Sequence, residues 1–241
     1  MDVVSALSAG DGLTCVVGAG GKKTTLFALA PRIPRAVVTA TVRIPIFDNR
    51  VADVAVTDDP VAAVEEADEW PLGLVPEREG DRYLGYDPKT VDAIAASGAA
   101  DAVLAKADGA RTRWLKAPND DEPQIPESTD TVVPIASARV VGEPLTEERV
   151  HRPDRVAALT GLDLDDRIEA EDVATVLASD DGGHKGVPDG ATVIPLVNMV
   201  DDESLEGVAR EVAEGVLDRT DVPRVVLARM IDDDPLVDVV E

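Results

Sequence analysis

Short apolar runs alternate along this chain with segments in which apolar residues recur every three or four positions. Apolar runs without polar alternation predict strands buried on both faces, and the longer spacing predicts amphipathic helices. Predicted strands cover residues 13–17, 36–42, 51–56, 72–75, 82–85, 102–107, 131–135, 192–197 and 224–228. Predicted helices cover residues 2–9, 60–67, 91–96, 154–159, 170–178 and 204–217, and another follows residue 21 and ends near Pro31.

This alternation of strands and helices predicts an α/β fold, with a three-layer, doubly wound and mainly parallel sheet. We expect residues 1–241 to form a single α/β domain, with a helical sub-region at about 140–190. Residues 109–130 are polar, rich in proline and too long for an ordinary connection, which indicates a functional segment. The acidic tail after Met230 is expected to be solvated.

The charge balance changes the picture of possible partners. The chain has 48 acidic and 23 basic residues and a net charge of −25, which disfavours nucleic acid and anionic membranes as partners. Abundant aspartate with scarce lysine is typical of salt-accumulating halophiles, where hydrated carboxylates are screened by salt. The single cysteine, Cys15, excludes an intramolecular disulfide. Because we find neither a leader nor an apolar run of the ~20 residues that a membrane span needs, we expect a cytoplasmic protein.

A glycine-rich loop between the first strand and the next helix carries the strongest chemical signal. It reads Gly18-Ala19-Gly20-Gly21-Lys22-Lys23-Thr24-Thr25. Glycines allow several backbone N–H groups to converge, and a helix N-terminus with lysines adds positive charge, so the loop predicts binding of a nucleotide phosphate chain in a P-loop NTPase-like fold. The spacing departs from the standard pattern, and either Lys22 or Lys23 can be the phosphate lysine. Thr24 or Thr25 can hold Mg²⁺.

Asp108 follows the buried strand 102–107, where a carboxylate projects into the ligand crevice of an open α/β sheet. It is a candidate Mg²⁺ ligand and catalytic residue, and the alternative is an ordinary turn aspartate before Gly109. Arg111 and Lys116 follow it, and such a basic cluster in an acidic chain suggests an anionic ligand.

Two further pairs of polar residues follow predicted strands. Thr39 and Thr41 share one face of a strand and can touch phosphate, Mg²⁺ or water, although threonine is also an ordinary strand residue. Asn198 and Asp201 are spaced as in the Asn-Lys-x-Asp sequence that reads guanine in many GTP-binding proteins, with methionine here in place of lysine. Alternatively, Asp201 or Asp202 caps the helix that follows.

These motifs, in this order, resemble the YqeC-type family of selenium-dependent hydroxylase accessory or selenium cofactor biosynthesis proteins, with a halophile-like composition. The resemblance covers nearly the whole chain. The matching segments are 17–25, 38–41, 78–81, 107–118, 122–126, 150–153, 185–188 and 196–201. It implies a nucleotide-binding protein that assists the maturation of a molybdenum hydroxylase whose cofactor carries a labile selenium.

The motifs and the resemblance together predict a protein that binds Mg²⁺ and GTP or ATP. We expect it to act as a nucleoside triphosphatase that assists cofactor maturation. Lys22, Lys23 and Asp108 would carry the chemistry by charge stabilisation of phosphoryl transfer. Its partner would be a molybdenum hydroxylase or the cofactor of that enzyme. The alternatives are a scaffold that binds nucleotide or cofactor without hydrolysis, and a small-molecule kinase.

Overall fold

A computed structural model describes residues 1–241. Fifteen strands are present. In chain order they are β1 (Gly12–Gly18), β2 (Ala36–Ala40), β3 (Ile44–Pro45), β4 (Asp53–Val56), β5 (Leu72–Val75), β6 (Arg78–Glu79), β7 (Arg82–Tyr83), β8 (Ala102–Lys106), β9 (Leu115–Lys116), β10 (Thr131–Ser137), β11 (Val150–His151), β12 (Thr192–Val193), β13 (Leu196–Asn198), β14 (Val225–Ala228) and β15 (Leu236–Val240).

Seven α-helices connect or cover these strands. They are α1 (Val3–Ala6), α2 (Lys22–Leu29), α3 (Pro60–Glu65), α4 (Pro88–Ala96), α5 (Pro153–Thr160), α6 (Ala170–Ala178) and α7 (Glu203–Leu217). Short 3₁₀ helices cover Ala30–Arg32, Asp48–Arg50 and Ala138–Val140. None of the helices is long and apolar enough to cross a membrane.

The main sheet has the strand order β15-β14-β13-β10-β1-β8-β2-β5-β4, and β12 also pairs with β10. All pairs in it are parallel except β14 with β15. Strand β1 lies at the centre, between β10 and β8. The carboxyl ends of β1, β8 and β10 therefore meet at one edge, which brings the glycine-rich loop next to Asp108.

Helices cover both faces of this sheet, because alternate side chains of the strands enter different apolar clusters. In β1, Val16 packs with α1 and α2 on one face, whereas Leu13 and Cys15 pack under α3 and α4 on the other. Helices α6 and α7 cover that second face over β13 and β14. The structure thus confirms the predicted three-layer α/β fold with a mainly parallel sheet.

Two local expectations need correction. The tail after Met230 is not simply solvated, because Leu236–Val240 forms the antiparallel edge strand β15. The strand predicted over 192–197 is divided into β12 and β13, with Pro195 between them. The segment 109–130 contains β9, which pairs with β11. For helix α7, the side chain of Asp202, rather than that of Asp201, accepts the capping hydrogen bond from the Leu205 N–H.

Candidate functional site

The glycine-rich loop turns sharply between β1 and α2. Gly18, Gly20 and Gly21 have φ values of 84°, 94° and 127°, a region in which residues with a Cβ are strained. A Cβ on Gly20 would lie 2.6 Å from the backbone nitrogen of Ser137. The loop therefore packs directly on the end of β10, and Gly20 is required by both its backbone conformation and the lack of space.

The first amides of this loop are already used within the protein. The Gly18 N–H donates to Asp108 Oδ2 at 2.9 Å, and those of Ala19 and Gly20 donate to the carbonyls of Ile135 and Arg113 at 2.8 and 2.9 Å. The first intrahelical bond of α2 runs from the Thr25 N–H to the Gly21 carbonyl, and no side chain caps the helix.

The N–H groups of the first turn of α2 are consequently the ones that lack an intrahelical acceptor. They belong to Lys22, Lys23 and Thr24. Together with the partial positive charge of the helix N-terminus, they form the part of the loop best suited to contact an anion.

Behind this helix start lies a network of buried charges. Asp108 is 2% exposed, and its carboxylate contacts the Lys22 ammonium at 2.8 Å through Oδ1 and the Lys116 ammonium at 2.7 Å through Oδ2. Lys116 also contacts Glu122 at 2.7 Å, and Glu122 contacts Arg152 at 2.7 Å. Burial alone would raise the pKa of Asp108, but the Lys22 and Lys116 charges hold it below its ordinary value.

A third buried lysine, Lys106, belongs to the same region, and the sequence did not identify it as a site residue. It is 6% exposed, and its ammonium donates to the Arg43 carbonyl at 3.0 Å. Burial, followed by the charge of Lys22, lowers the pKa of Lys106 to about 7. The signal that identifies it is a lysine within an apolar strand of a lysine-poor chain.

We call Lys22, Lys106, Asp108, Lys116 and Glu122 the inner charge cluster. It contains three of the six lysines of the chain, all nearly buried, against two carboxylates. Buried lysines without matching carboxylates are costly. In a protein with a net charge of −25, this cluster is unusual because its ammonium groups outnumber its carboxylates.

On the outer side of α2 lies a cleft of about 540 Å³, which we call the outer cleft. Three separate segments line it, and they include Lys23, Thr24 and Phe27 of α2, Arg50, and the turn that contains Ile231 and Asp233. Partial burial, together with the charges of Arg82 and Arg50, lowers the pKa of Lys23. Cations thus lie on both sides of the helix N-terminus.

The hydroxyl groups predicted to act at the site differ in their placement. Thr39 is buried and donates to the Leu74 carbonyl at 2.8 Å. Thr41 donates to the Gln124 carbonyl at 2.6 Å, and Thr25 donates to the Gly21 carbonyl at 3.2 Å. Only Thr24 lies on the wall of the outer cleft. Thr39 and Thr25 therefore hold the backbone around the site.

The predicted base-reading pair is also engaged by the protein. The Asn198 side chain donates to the Gly20 carbonyl at 2.8 Å and accepts from the Met230 N–H at 3.1 Å. The Asp201 carboxylate pairs with Arg139 at 2.5 Å. Asn198 thus ties the glycine-rich loop to the end of β14. A role of these two residues in reading a base stays a prediction.

The basic segment after Asp108 lies over the loop. Arg111 and Thr112 are exposed and adopt φ values of 47° and 63°, which is strained for residues with a Cβ. The carbonyl of the next residue, Arg113, accepts from the Gly20 N–H. Nearby, partial burial and the charges of Arg152 and Lys116 lower the pKa of His151 to about 4. Because His151 is neutral at pH 7, it adds no charge there.

The fit of Mg²⁺ depends on which oxygens are available. Both oxygens of Asp108 lie against ammonium groups, the Thr25 hydroxyl is buried on its own helix, and no group of three or more metal-binding side chains is present. Mg²⁺ often reaches protein sites with substrate phosphates and keeps several waters. Of the predicted ligands, Thr24 is the one that lies on the wall of the outer cleft, so it would be the residue to hold an ion carried by a phosphate ligand. The Asp108 and Thr25 assignments stay predictions.

Comparison with known proteins finds matches that cover the region around the glycine-rich loop. A family model described as "YqeC protein" matches residues 14–154, which include the glycine-rich loop and the inner charge cluster. The chain is also similar to the "Uncharacterized protein YqeC" of Escherichia coli (strain K12). The two are 29% identical over 191 residues, which cover 76% of this chain and 74% of the relative.

Proposed function

This chain belongs to the YqeC family, and on that premise we propose that it binds the phosphate chain of a nucleoside triphosphate at the N-terminus of α2. The observation that carries the proposal is the inner charge cluster, in which Lys22, Lys106 and Lys116 are each at most 6% exposed in a strongly acidic chain. A polyphosphate supplies the negative charge that this cluster lacks.

The unpaired N–H groups of Lys22, Lys23 and Thr24 would hold the terminal phosphates, with the Lys22 ammonium exchanging part of its contact with Asp108 for a phosphate oxygen. Asp108 remains compensated by Lys116 at 2.7 Å, so this exchange leaves no isolated buried carboxylate. Thr24 would hold an Mg²⁺ ion carried by the phosphates, and this ion would supply further charge stabilisation. GTP and ATP are the candidate nucleotides.

We further propose that the protein hydrolyses this nucleotide as an accessory factor in the maturation of a molybdenum hydroxylase. The resemblance of its motifs to the family supports the pathway. The cations around the loop support the chemistry, because phosphoryl transfer depends mainly on positioning and charge stabilisation.

A second candidate is a scaffold that binds nucleotide without turnover. One observation favours it: both carboxylate oxygens of Asp108 lie within 2.8 Å of a lysine ammonium. Asp108 is also only 2% exposed, so in this arrangement it is poorly placed to orient an attacking water.

The test is titration calorimetry with GTP and ATP in molar KCl with Mg²⁺, combined with measurement of phosphate release. Removing a charged hydrogen-bonding group costs about 1.5–3 kcal/mol, so Lys22→Met should weaken binding about 10- to 100-fold. Lys89→Met, which removes an exposed lysine of α4, should leave the affinity unchanged.

Equal affinity of the two variants would overturn the phosphate assignment. Tight binding without phosphate release, also in the presence of a molybdenum hydroxylase, would support the scaffold and exclude the triphosphatase. To test the pathway, a strain that lacks the gene should lose hydroxylase activity, and Lys22→Met should fail to restore it.

A further inference from the structure

The outer cleft begins where the proposed phosphate site ends. Lys23 and Thr24 line the cleft, and their N–H groups belong to the uncapped first turn of α2. We propose that the nucleoside part of the ligand, a purine base with its ribose, binds in this cleft along α2. The inference rests on the proposed function, because it uses the phosphate position at the helix N-terminus.

The size and continuity of the cleft support this placement. Its volume is about 540 Å³, within the range of about 300–1,000 Å³ usual for small-molecule sites. If the N–H groups of Lys23 and Thr24 hold the terminal phosphates, the rest of the phosphate chain and the sugar extend along the wall that these residues form. This direction leads the nucleoside into the cleft.

Two apolar side chains provide surfaces for the faces of a base. Phe27 is partly buried on α2, and its ring lies 5.7 Å from that of Phe47, which fixes its position. Ile231, in the turn between β14 and β15, is 82% exposed. So exposed an isoleucine gains little from packing within the protein, and contact with a base would remove it from water.

Polar groups of the cleft fit the edge of a purine. The Asn49 side chain can both donate and accept, and the Asp233 carboxylate accepts from N–H groups such as the exocyclic amine of a base. Lys23 and Arg50 also line the cleft. This combination of cations and a carboxylate orients the ligand, since phosphates are attracted to the former and repelled by the latter.

The site predicted from the sequence is less suited to this role. Asn198 is 2% exposed, and its side-chain amide is hydrogen-bonded to the Gly20 carbonyl and the Met230 N–H. Asp201 is paired with Arg139. Neither residue lines the outer cleft. If Asn198 bound a base, the Gly20 carbonyl and the Met230 N–H would lose their hydrogen-bond partner. Asp233 and Asn49 could bind a base without breaking a hydrogen bond to the backbone.

The test compares GTP, ATP and inorganic tripolyphosphate by titration calorimetry in molar KCl. We expect Ile231→Ala and Asp233→Asn each to weaken binding of at least one of the two nucleotides about 5- to 10-fold and not to weaken binding of tripolyphosphate. The matched controls are Leu164→Ala, at another exposed apolar residue, and Asp201→Asn. Neither control should change any of the three affinities.

The outcomes separate the two proposals. If nucleotides bind no more tightly than tripolyphosphate, or if neither Asp233→Asn nor Ile231→Ala weakens nucleotide binding, the nucleoside assignment is overturned and the phosphate site stands. If tripolyphosphate and both nucleotides all fail to bind, the proposed function is overturned together with the inference. Thermal unfolding of each variant confirms that the fold is retained.

Discussion

Replacing Lys106 by methionine removes a buried charge with little change in side-chain length. Burial, followed by the charge of Lys22, lowers the pKa of Lys106 from 10.5 to about 7. At about 1.36 kcal/mol per pH unit, the charged form costs about 5 kcal/mol at this position. Loss of the hydrogen bond to the Arg43 carbonyl offsets about 1 kcal/mol of the relief. We therefore expect Lys106→Met to raise the free energy of unfolding by about 4 kcal/mol at pH 7, the difference between these two contributions.

The gain in stability should depend on pH with a defined sign. The pKa of Lys106 is lower in the folded state than in the unfolded chain, so between about pH 7 and 10.5 the unfolded chain binds more protons. The contribution of this group to wild-type stability therefore rises with pH across that window. The difference between variant and wild type should accordingly shrink as pH rises from 7 towards 10.5.

Urea unfolding at a fixed molar KCl concentration, followed by tryptophan fluorescence at several pH values, measures this difference. Lys89→Met is the control and should change stability by less than about 0.5 kcal/mol. Nucleotide affinity should fall about 10-fold in Lys106→Met, so that a more stable protein binds less well. A variant that is less stable than wild type at pH 7 and binds nucleotide normally would refute the reasoning, and would make Lys106 a structural partner of Arg43.

Three further expectations follow from the same geometry. First, a bound polyphosphate should raise the pKa of Lys106 from about 7, so ligand binding should take up protons and should weaken as pH rises from 7 to 9. Calorimetry in buffers of different ionisation enthalpy measures the proton uptake, and no uptake would contradict this linkage. Second, Gly20→Ala should cost at least about 2 kcal/mol more than Gly190→Ala in urea unfolding, because both have positive φ but only Gly20 lacks space for a Cβ; equal costs would contradict this. Third, the pKa of His151 is about 4, below the usual 6.5, so between these pH values the unfolded chain binds more protons than the folded protein. The free energy of unfolding should therefore fall as pH falls from 6.5 to 4. His151→Gln should reduce this pH dependence, and an unchanged dependence would exclude His151 as its source.

Local patterns predicted much of the fold. The run 13–17, the glycines after it and the lysines and threonines that follow predicted β1, the turn and α2 with small errors at the boundaries. Asp108 was expected at the end of a buried strand, and the parallel pairing of β1 with β8 brings it to the loop. These features depend on residues that are close in sequence or on the general rule that parallel strands end at one edge.

Features of the site that depend on distant residues could not be predicted in this way. The amides of Ala19 and Gly20 donate to the carbonyls of Ile135 and Arg113, which lie more than ninety positions later in the chain. The outer cleft combines α2 with the segment around Asn49 and the turn at Ile231. The acidic composition of the tail concealed β15, because its apolar residues pair along an edge strand, where one side remains open to solvent.

The side-chain amide of Asn198 couples the two halves of the proposed ligand site, which are the glycine-rich loop and the wall of the outer cleft at Ile231. It fixes the Gly20 carbonyl with one end and the Met230 N–H, which leads into the turn at Ile231, with the other. A ligand that immobilises the loop should therefore also restrain the far wall, so a second group binding there loses less conformational entropy. We expect tripolyphosphate alone to slow hydrogen exchange at the Met230 amide, and unchanged exchange would show that the two halves move independently.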